Sequence, residues 1–242
     1  MSYFRYFPYV EYFFGDETTP DVFQNISVYS SIFDEIKNNV AFYQDYYIEE
    51  GQRPDRLSYF LYDTPTLHWT FYLINDKIRG RGWPVTNQEL IAKAQKDYSL
   101  TTLTTRTRLT DKFKVGQTIQ GSTSGATAVI NHRHLDLGQL VVGQLTNQFT
   151  AGETITSTNS DEELESIVLV STGLEYLSAH HYENASGETI DIDPEVGPGA
   201  LLTEITYLDR MFTQNDDLKQ IRIIKPSAMP TVVASFREAV GS

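Results

Sequence analysis

Between Tyr29 and Tyr47 the apolar residues Tyr29, Ile32, Phe33, Ile36, Val40, Tyr43 and Tyr47 fall three or four apart, the spacing that lines one face of a helix. A second helix is predicted from Arg53-Pro54, because proline suits a first turn whose N–H has no partner. Leu57, Phe60 and Leu61 form its stripe. Thr64-Pro65 repeats the device and opens a third helix carrying Leu67, Trp69, Phe71, Tyr72 and Ile74, apolar most of the way round and therefore expected to be buried. Thr86 and Glu89 have the spacing of a capping box for a fourth helix with Leu90, Ile91 and Ala94, running to about Tyr98. Residues 1–110 are thus expected to form a mainly helical body.

At Ser99 the pattern changes. A threonine-rich stretch, Thr101 to Thr110, leads into short β-prone segments punctuated by Gly, Asn and Asp. Here the chain repeats itself: Phe113, Gly116, Thr118 and Ile119 recur 36 residues later as Phe149, Gly152, Thr154 and Ile155. Both copies read F-x-x-G-x-T-I, a glycine turn followed by a strand whose alternate side chains point inward. Two such units predict a small all-β domain, barrel or sandwich, inserted over 111–171. The first copy continues through Gly121-Ser122-Thr123-Ser124-Gly125-Ala126-Thr127-Ala128, a turn and a second strand. An acidic loop, Asp161 to Glu165, precedes a strand at Ile167 to Val170.

Residues 172–242 read as a mixed α/β segment. Ser186-Gly187 turns a hairpin before Glu188 to Ile192, and Pro194, Gly197, Pro198 and Gly199 mark a boundary. Leu201, Ile205, Leu208 and Phe212 suggest a helix, Ile221 to Ile224 a strand, and Val232, Val233, Phe236 and Val240 a terminal helix. The fold class expected is α+β.

Composition narrows the partners. With 40% hydrophobic residues, 9 prolines and 15 glycines the chain has the profile of a globular protein. A net charge of −13 repels phosphate backbones, so nucleic acid is not expected as a partner. The absence of cysteine removes disulfides and thiolate metal sites, and suits assembly in a reducing cytoplasm. The aromatic N-terminus has one basic side chain, Arg5, and no small-residue cleavage site, so no signal peptide is expected. The longest apolar stretch, Leu67 to Ile74, contains His68 and Thr70 and falls far short of the roughly 20 residues that span a bilayer, so no membrane is expected either.

Catalytic chemistry finds little purchase. His132-x-His134 and His180-His181 each offer two imidazoles, but no third ligand stands at a recognisable spacing, so both are read as polar β-region residues with no metal or other cofactor. The carboxylates, 32 in all, sit mostly in polar runs such as Glu49-Glu50 and Asp161-Glu162-Glu163, where neither member of an acid and base pair is sheltered. The basic cluster Lys77 to Trp83 has two glycines, Gly80 and Gly82, that would let backbone amides approach an anion. It lacks the phosphate-loop spacing and is read chiefly as a protein contact.

Tyr46-Tyr47-Ile48, Arg53-Pro54, Leu57, Tyr62, Pro65, Leu67, Trp69, Asn75-Asp76 and Gly82-Trp83 together resemble the baseplate wedge protein, gene product fifty-three, of T-even-like contractile-tailed phages. Leu218 and Gln220 to Lys225 extend the resemblance at the far end of the chain. The G-x-T-S-G-A-T-A stretch is instead similar to small modules in cyanophage virion proteins. The resemblance implies a non-enzymatic structural protein of the virion tail, assembled in the host cytoplasm. In that role it joins other wedge subunits and helps them close around the tail hub, in six copies or a multiple.

The aromatics without helical phase are the candidate partner contacts: Tyr3, Phe4, Tyr6, Phe7, Tyr9, Tyr12, Phe13 and Phe14. Arg53, Arg79, Arg81 and Trp83 join them. Residues 1–14 are expected to pack on a neighbouring subunit or to fold back on the helical core. Two other readings compete. One is a glycan-binding or cell-wall-degrading tail component, disfavoured by the scarcity of aromatics in the insert besides Phe113 and Phe149. The other is a head-to-tail or tail-completion adaptor.

Overall fold

The computed structural model describes residues 7–16, 18–25 and 40–241. Strands β1 (Tyr9–Tyr12), β2 (Asp21–Gln24) and β3 (Tyr43–Tyr47) come first. Helices α1 (Pro54–Tyr62), α2 (Trp69–Ile74), α3 (Asp76–Arg81) and α4 (Asn87–Asp97) follow. Then come β4 (Thr101–Thr105), β5 (Thr118–Gly121), β6 (Thr127–His134), β7 (Gln139–Gly143), β8 (Thr154–Thr158), β9 (Leu164–Leu174), β10 (Ala179–Glu183), β11 (Thr189–Ile190) and β12 (Thr203–Thr206). The chain closes with α5 (Tyr207–Lys219), β13 (Gln220–Ile224) and α6 (Met229–Gly241).

Two compact units result, one from residues 1–86 and 214–242 and the other from 87–213. This division differs from the boundaries expected near residues 111 and 171. The threonine-rich Thr101–Thr105, assigned from sequence to the helical body, is a strand of the barrel described below. Its alternation is blurred because Thr102 and Thr105 are buried along with Leu103.

The first unit is held by a two-stranded antiparallel sheet from opposite ends of the sequence, with Tyr43↔Ile224, Asp45↔Arg222 and Tyr47↔Gln220 in register. Tyr43 to Tyr47, predicted to end the first helix, is therefore a strand. The rest of that predicted helix, 29–39, lies outside the described residues. Pro54 takes the first turn of α1 as expected, and Leu57 is fully buried, but Phe60 on its predicted stripe is exposed. Thr64-Pro65 opens a short 3-10 turn before α2, whose Trp69, Thr70, Phe71, Leu73 and Ile74 are all buried.

Two apolar clusters fill this unit. One gathers Phe7, Tyr43, Trp69, Leu73, Ile224, Met229, Val232 and Phe236, and the other Ile48, Leu57, Phe71, Ile78, Leu218, Ile221 and Ile223. Each such buried chain contributes roughly 1.5 to 3 kcal/mol.

In the second unit β4-β7-β6-β5-β8-β9 close a barrel, so its ladder leaves no edge. The sequence repeat is its internal symmetry. Gly116 N donates to Ile130 O at 2.8 Å and Gly152 N to Leu169 O at 2.7 Å, while Ile130 N and Leu169 N return the bond to Gln117 O and Glu153 O. The two glycines hold φ of +91° and +86°, a left-handed conformation that side chains resist. Phe113, Ile119, Phe149 and Ile155 point into the core, and the two copies pair directly, Gly121 facing Ile155 across β5 and β8.

The variable position of the motif carries the polar work. Gln117 and Glu153 each accept from the amide three residues earlier, Lys114 N and Thr150 N. Glu153, 5% exposed, also accepts from Thr123 N (3.1 Å), Ser124 N (2.9 Å) and Ser124 Oγ (2.9 Å), so the second copy's carboxylate holds the first copy's Gly121–Ala128 loop. Burial pushes this carboxyl up, but the hydrogen bonds from Ser124, Thr150 and Thr123 outweigh it, and its pKa lies below the usual value. Its stabilisation is therefore present above the ordinary carboxylate range and lost as pH falls through the depressed value. Glu153→Gln should cost about 1.5 to 3 kcal/mol. It should also flatten the acid limb of the stability profile, as measured by denaturant titration at several pH values.

Outside the barrel, β10 pairs antiparallel with β11 and β12. The expected turn at Ser186-Gly187 joins the first two, with Gly187 at φ +77°. Residues Thr203–Thr206, expected within a helix, form β12, and the helix begins only at Tyr207.

Candidate partner interface

The N-terminal aromatics form a ribbon. β1 and β2 pair antiparallel with Tyr9↔Gln24, Val10↔Phe23, Glu11↔Val22 and Tyr12↔Asp21, closed at its base by Asn25 N donating to Pro8 O at 2.7 Å. Strand alternation places Val10, Tyr12 and Phe23 on one face. Phe14 joins them through ring contacts, 4.9 Å to Tyr12 and 5.9 Å to Phe23, both edge to face.

Every residue of β1 is exposed, and so are Asp21, Val22 and Phe23 of β2. Tyr12 is 56%, Phe14 50% and Phe23 45% accessible. Between residues 7 and 25 there are carboxylates and no Lys or Arg.

Phe7 roots the start of the ribbon in the core. Phe7 is 3% exposed and packs edge to face on Phe236 at 6.1 Å, which in turn lies 4.7 Å from Trp69. The two alternatives expected for residues 1–14 are thus divided between positions. Phe7 folds back, whereas Tyr9, Tyr12, Phe13 and Phe14 face outward. Tyr3, Phe4 and Tyr6 lie outside the described residues.

The basic candidates are placed differently. Arg53 sits before α1 with its guanidinium on Asp55, 3.1 and 3.2 Å, and remains exposed. Burial raises the Asp55 carboxyl, but Arg53 and the backbone amides of Asp55 and Arg56 together hold it below the usual value. Arg79 pairs with Asp76 at 2.7 Å, and Arg81 is exposed at the end of α3. Lys77 to Arg81 is helical and the Gly82 amide donates to Ile78 O at 2.9 Å, so Gly80 lies within a helix and Gly82 ends it, with its amide committed to the last turn.

Trp83 is turned inward. Its Nε1 donates to Gln52 O at 2.6 Å, and its ring lies 5.9 Å from both Phe71 and Tyr72.

Two of the residues that carry the resemblance, Tyr62 and Asn75, join the two ends of the chain. Asn75 extends the sheet with its side chain, accepting from Arg222 N and donating to Arg222 O, each at 2.8 Å. Tyr62 Oη donates to Ile224 O at 2.9 Å, and burial pushes its pKa well up. Nothing in the sequence spacing marked Asn75 as a strand clamp. The signal that singled it out was the family motif.

Among the described residues, no group of histidines, aspartates and glutamates could hold a metal ion, and no helix is long and apolar enough to cross a membrane. No curated protein matches the chain. Residues 3–101 do match the family model described as Base plate wedge protein 53, and that stretch is similar to the phage base plate wedge proteins.

Proposed function

We propose that the protein is a non-enzymatic structural subunit of a phage tail base plate, joining wedge subunits and helping them close around the hub. The observation that carries this reading is the apolar face of Val10, Tyr12, Phe14 and Phe23, exposed on a ribbon that is two-stranded among the described residues. Isolated two-stranded ribbons are marginal in water, and rigid aromatics concentrate in interface hot spots. The ribbon's charge selects its partner, an apolar groove rimmed by Lys and Arg on another subunit. Arg53 and Arg81 are secondary contacts of opposite sign.

The proposed assembly is a ring of six copies or a multiple, in which closure would make the last association intramolecular. Cryo-electron microscopy of intact tails tests it. Density for this chain is expected in the ring of wedges around the hub, with β1 and β2 covered by a neighbour. Density at the neck would transfer the protein to the adaptor role and refute the wedge reading.

A further inference from the structure

The two histidine pairs, separate in sequence, meet in the second unit. His134 at the end of β6 and His180 and His181 in β10 surround Tyr207, the first residue of α5. His134 Nε2 lies 3.0 Å from Tyr207 Oη, and the His180 ring stands edge-on to Tyr207 at 5.0 Å. His180 Nδ1 and His181 Nδ1 are 2.9 Å apart, and His181 Nε2 lies 2.9 Å from Glu183 Oε1. We propose that this cluster is a proton-operated joint, which fastens β10 and the first turn of α5 to the barrel when neutral and releases them on acidification.

The chemistry follows from proton counting. A hydrogen bond between two Nδ1 atoms needs one donor and one acceptor, so the pair holds a single proton between them. With Glu183 accepting at His181 Nε2, the neutral pair has His180 donating to the His181 lone pair. One added proton is tolerated, but a second sets N–H against N–H, and the contact must open.

The surroundings resist added charge. Burial lowers the pKa of His134, further lowered by His132 and opposed by Glu175. Burial also lowers that of His180, reinforced by Arg210, His181 and His134. The Tyr98 ring also lies against Tyr207, 4.6 Å away and tilted by 40°. Arg133, Asp136 and Asp191 line the adjoining cavity of about 410 Å³, the Arg133 guanidinium being engaged by Leu109 O and Lys112 O.

The sign is fixed by linkage. With folded values depressed, the opened state binds protons more readily. The joint is therefore fully stable above the ordinary imidazole pKa of about 6.5 and weakens as pH falls below it.

Hydrogen exchange of the whole chain at about pH 8 and about pH 5.5, corrected for intrinsic rates, tests this on either side of the imidazole range. Amides of β10 and the start of α5 are expected to exchange severalfold faster at the lower pH while β5 and β8 keep their protection. In His180→Gln that difference should shrink, leaving only the part due to His134. Unchanged protection of β10, the same acceleration in His180→Gln, or acceleration throughout the barrel would each overturn the proposal. If His180→Gln fails to fold, as judged by β5 and β8 at pH 8, the wild-type imidazole resonances decide. A His180 titration displaced below the ordinary imidazole range supports the joint, and an undisplaced one refutes it.

Discussion

Replacing Tyr12, Phe14 and Phe23 together by serine is expected to abolish incorporation of the protein into tails while leaving its own melting curve unchanged. The three rings touch one another on one ribbon face and are about half accessible, so they contribute little to the core of the chain that carries them. An aromatic hot spot in an interface is worth about 2 kcal/mol or more, about thirtyfold in affinity, and three in contact lose more than a modest association can spare. Tails purified from cells expressing the variant should lack the chain. Wild-type incorporation would show that the ribbon is not the docking element, and a lowered melting temperature would show that the rings serve the fold.

Phe236→Ala should be the most damaging single substitution to the first unit, at about 3 to 5 kcal/mol, a large share of the roughly 5 to 15 kcal/mol that holds a domain. Phe236 is 1% exposed and lies between Phe7 and Trp69, so its removal opens a cavity beneath both the α2 helix and the root of the ribbon. Both tryptophans, Trp69 and Trp83, lie in this unit, and their fluorescence during denaturant unfolding reports it without interference from the barrel. Phe236→Leu, which nearly conserves volume, should cost less than about 1.5 kcal/mol. Equal losses for the two variants would mean that the site collapses around the smaller side chain.

Local chemistry was legible where a residue's preference and its neighbours agreed. Pro54 and Pro65 start helical turns because a missing N–H costs nothing there. The F-x-x-G-x-T-I repeat was readable as turn plus strand because Gly116 and Gly152 need a conformation that other residues resist.

Where local signals were ambiguous the reading slipped. Tyr43 and Tyr47 are four apart, which suits a helix face, and are also paired to Ile224 and Gln220 from the other end of the chain. The distant strand decided the matter, as it can for any short apolar run. The basic cluster Lys77 to Trp83 has two glycines that would let amides approach an anion, yet Gly80 is carried inside α3 and Gly82 ends it, since a single glycine costs a helix only about 1 kcal/mol.

The candidate interface divides in the same way. Sequence marked the aromatics of residues 3–14 as lacking helical phase, but could not tell Phe7, buried on Phe236, from Phe14, exposed on the ribbon. Trp83 looked like a contact because it follows a basic cluster, and is committed to Gln52, Phe71 and Tyr72 within its own unit.

The sequence by itself determined where helical turns start, that the chain carries a duplicated β motif, and which family its first hundred residues resemble, because each depends on residues close together along the chain. Only the folded chain shows that Thr101–Thr105 completes the barrel, that Asn75 clamps Arg222, and that His134 and His180, one from each distant histidine pair, converge on Tyr207. Those outcomes rest on pairings between remote segments, whose closure entropy must be met by contacts that exist only once the fold has formed.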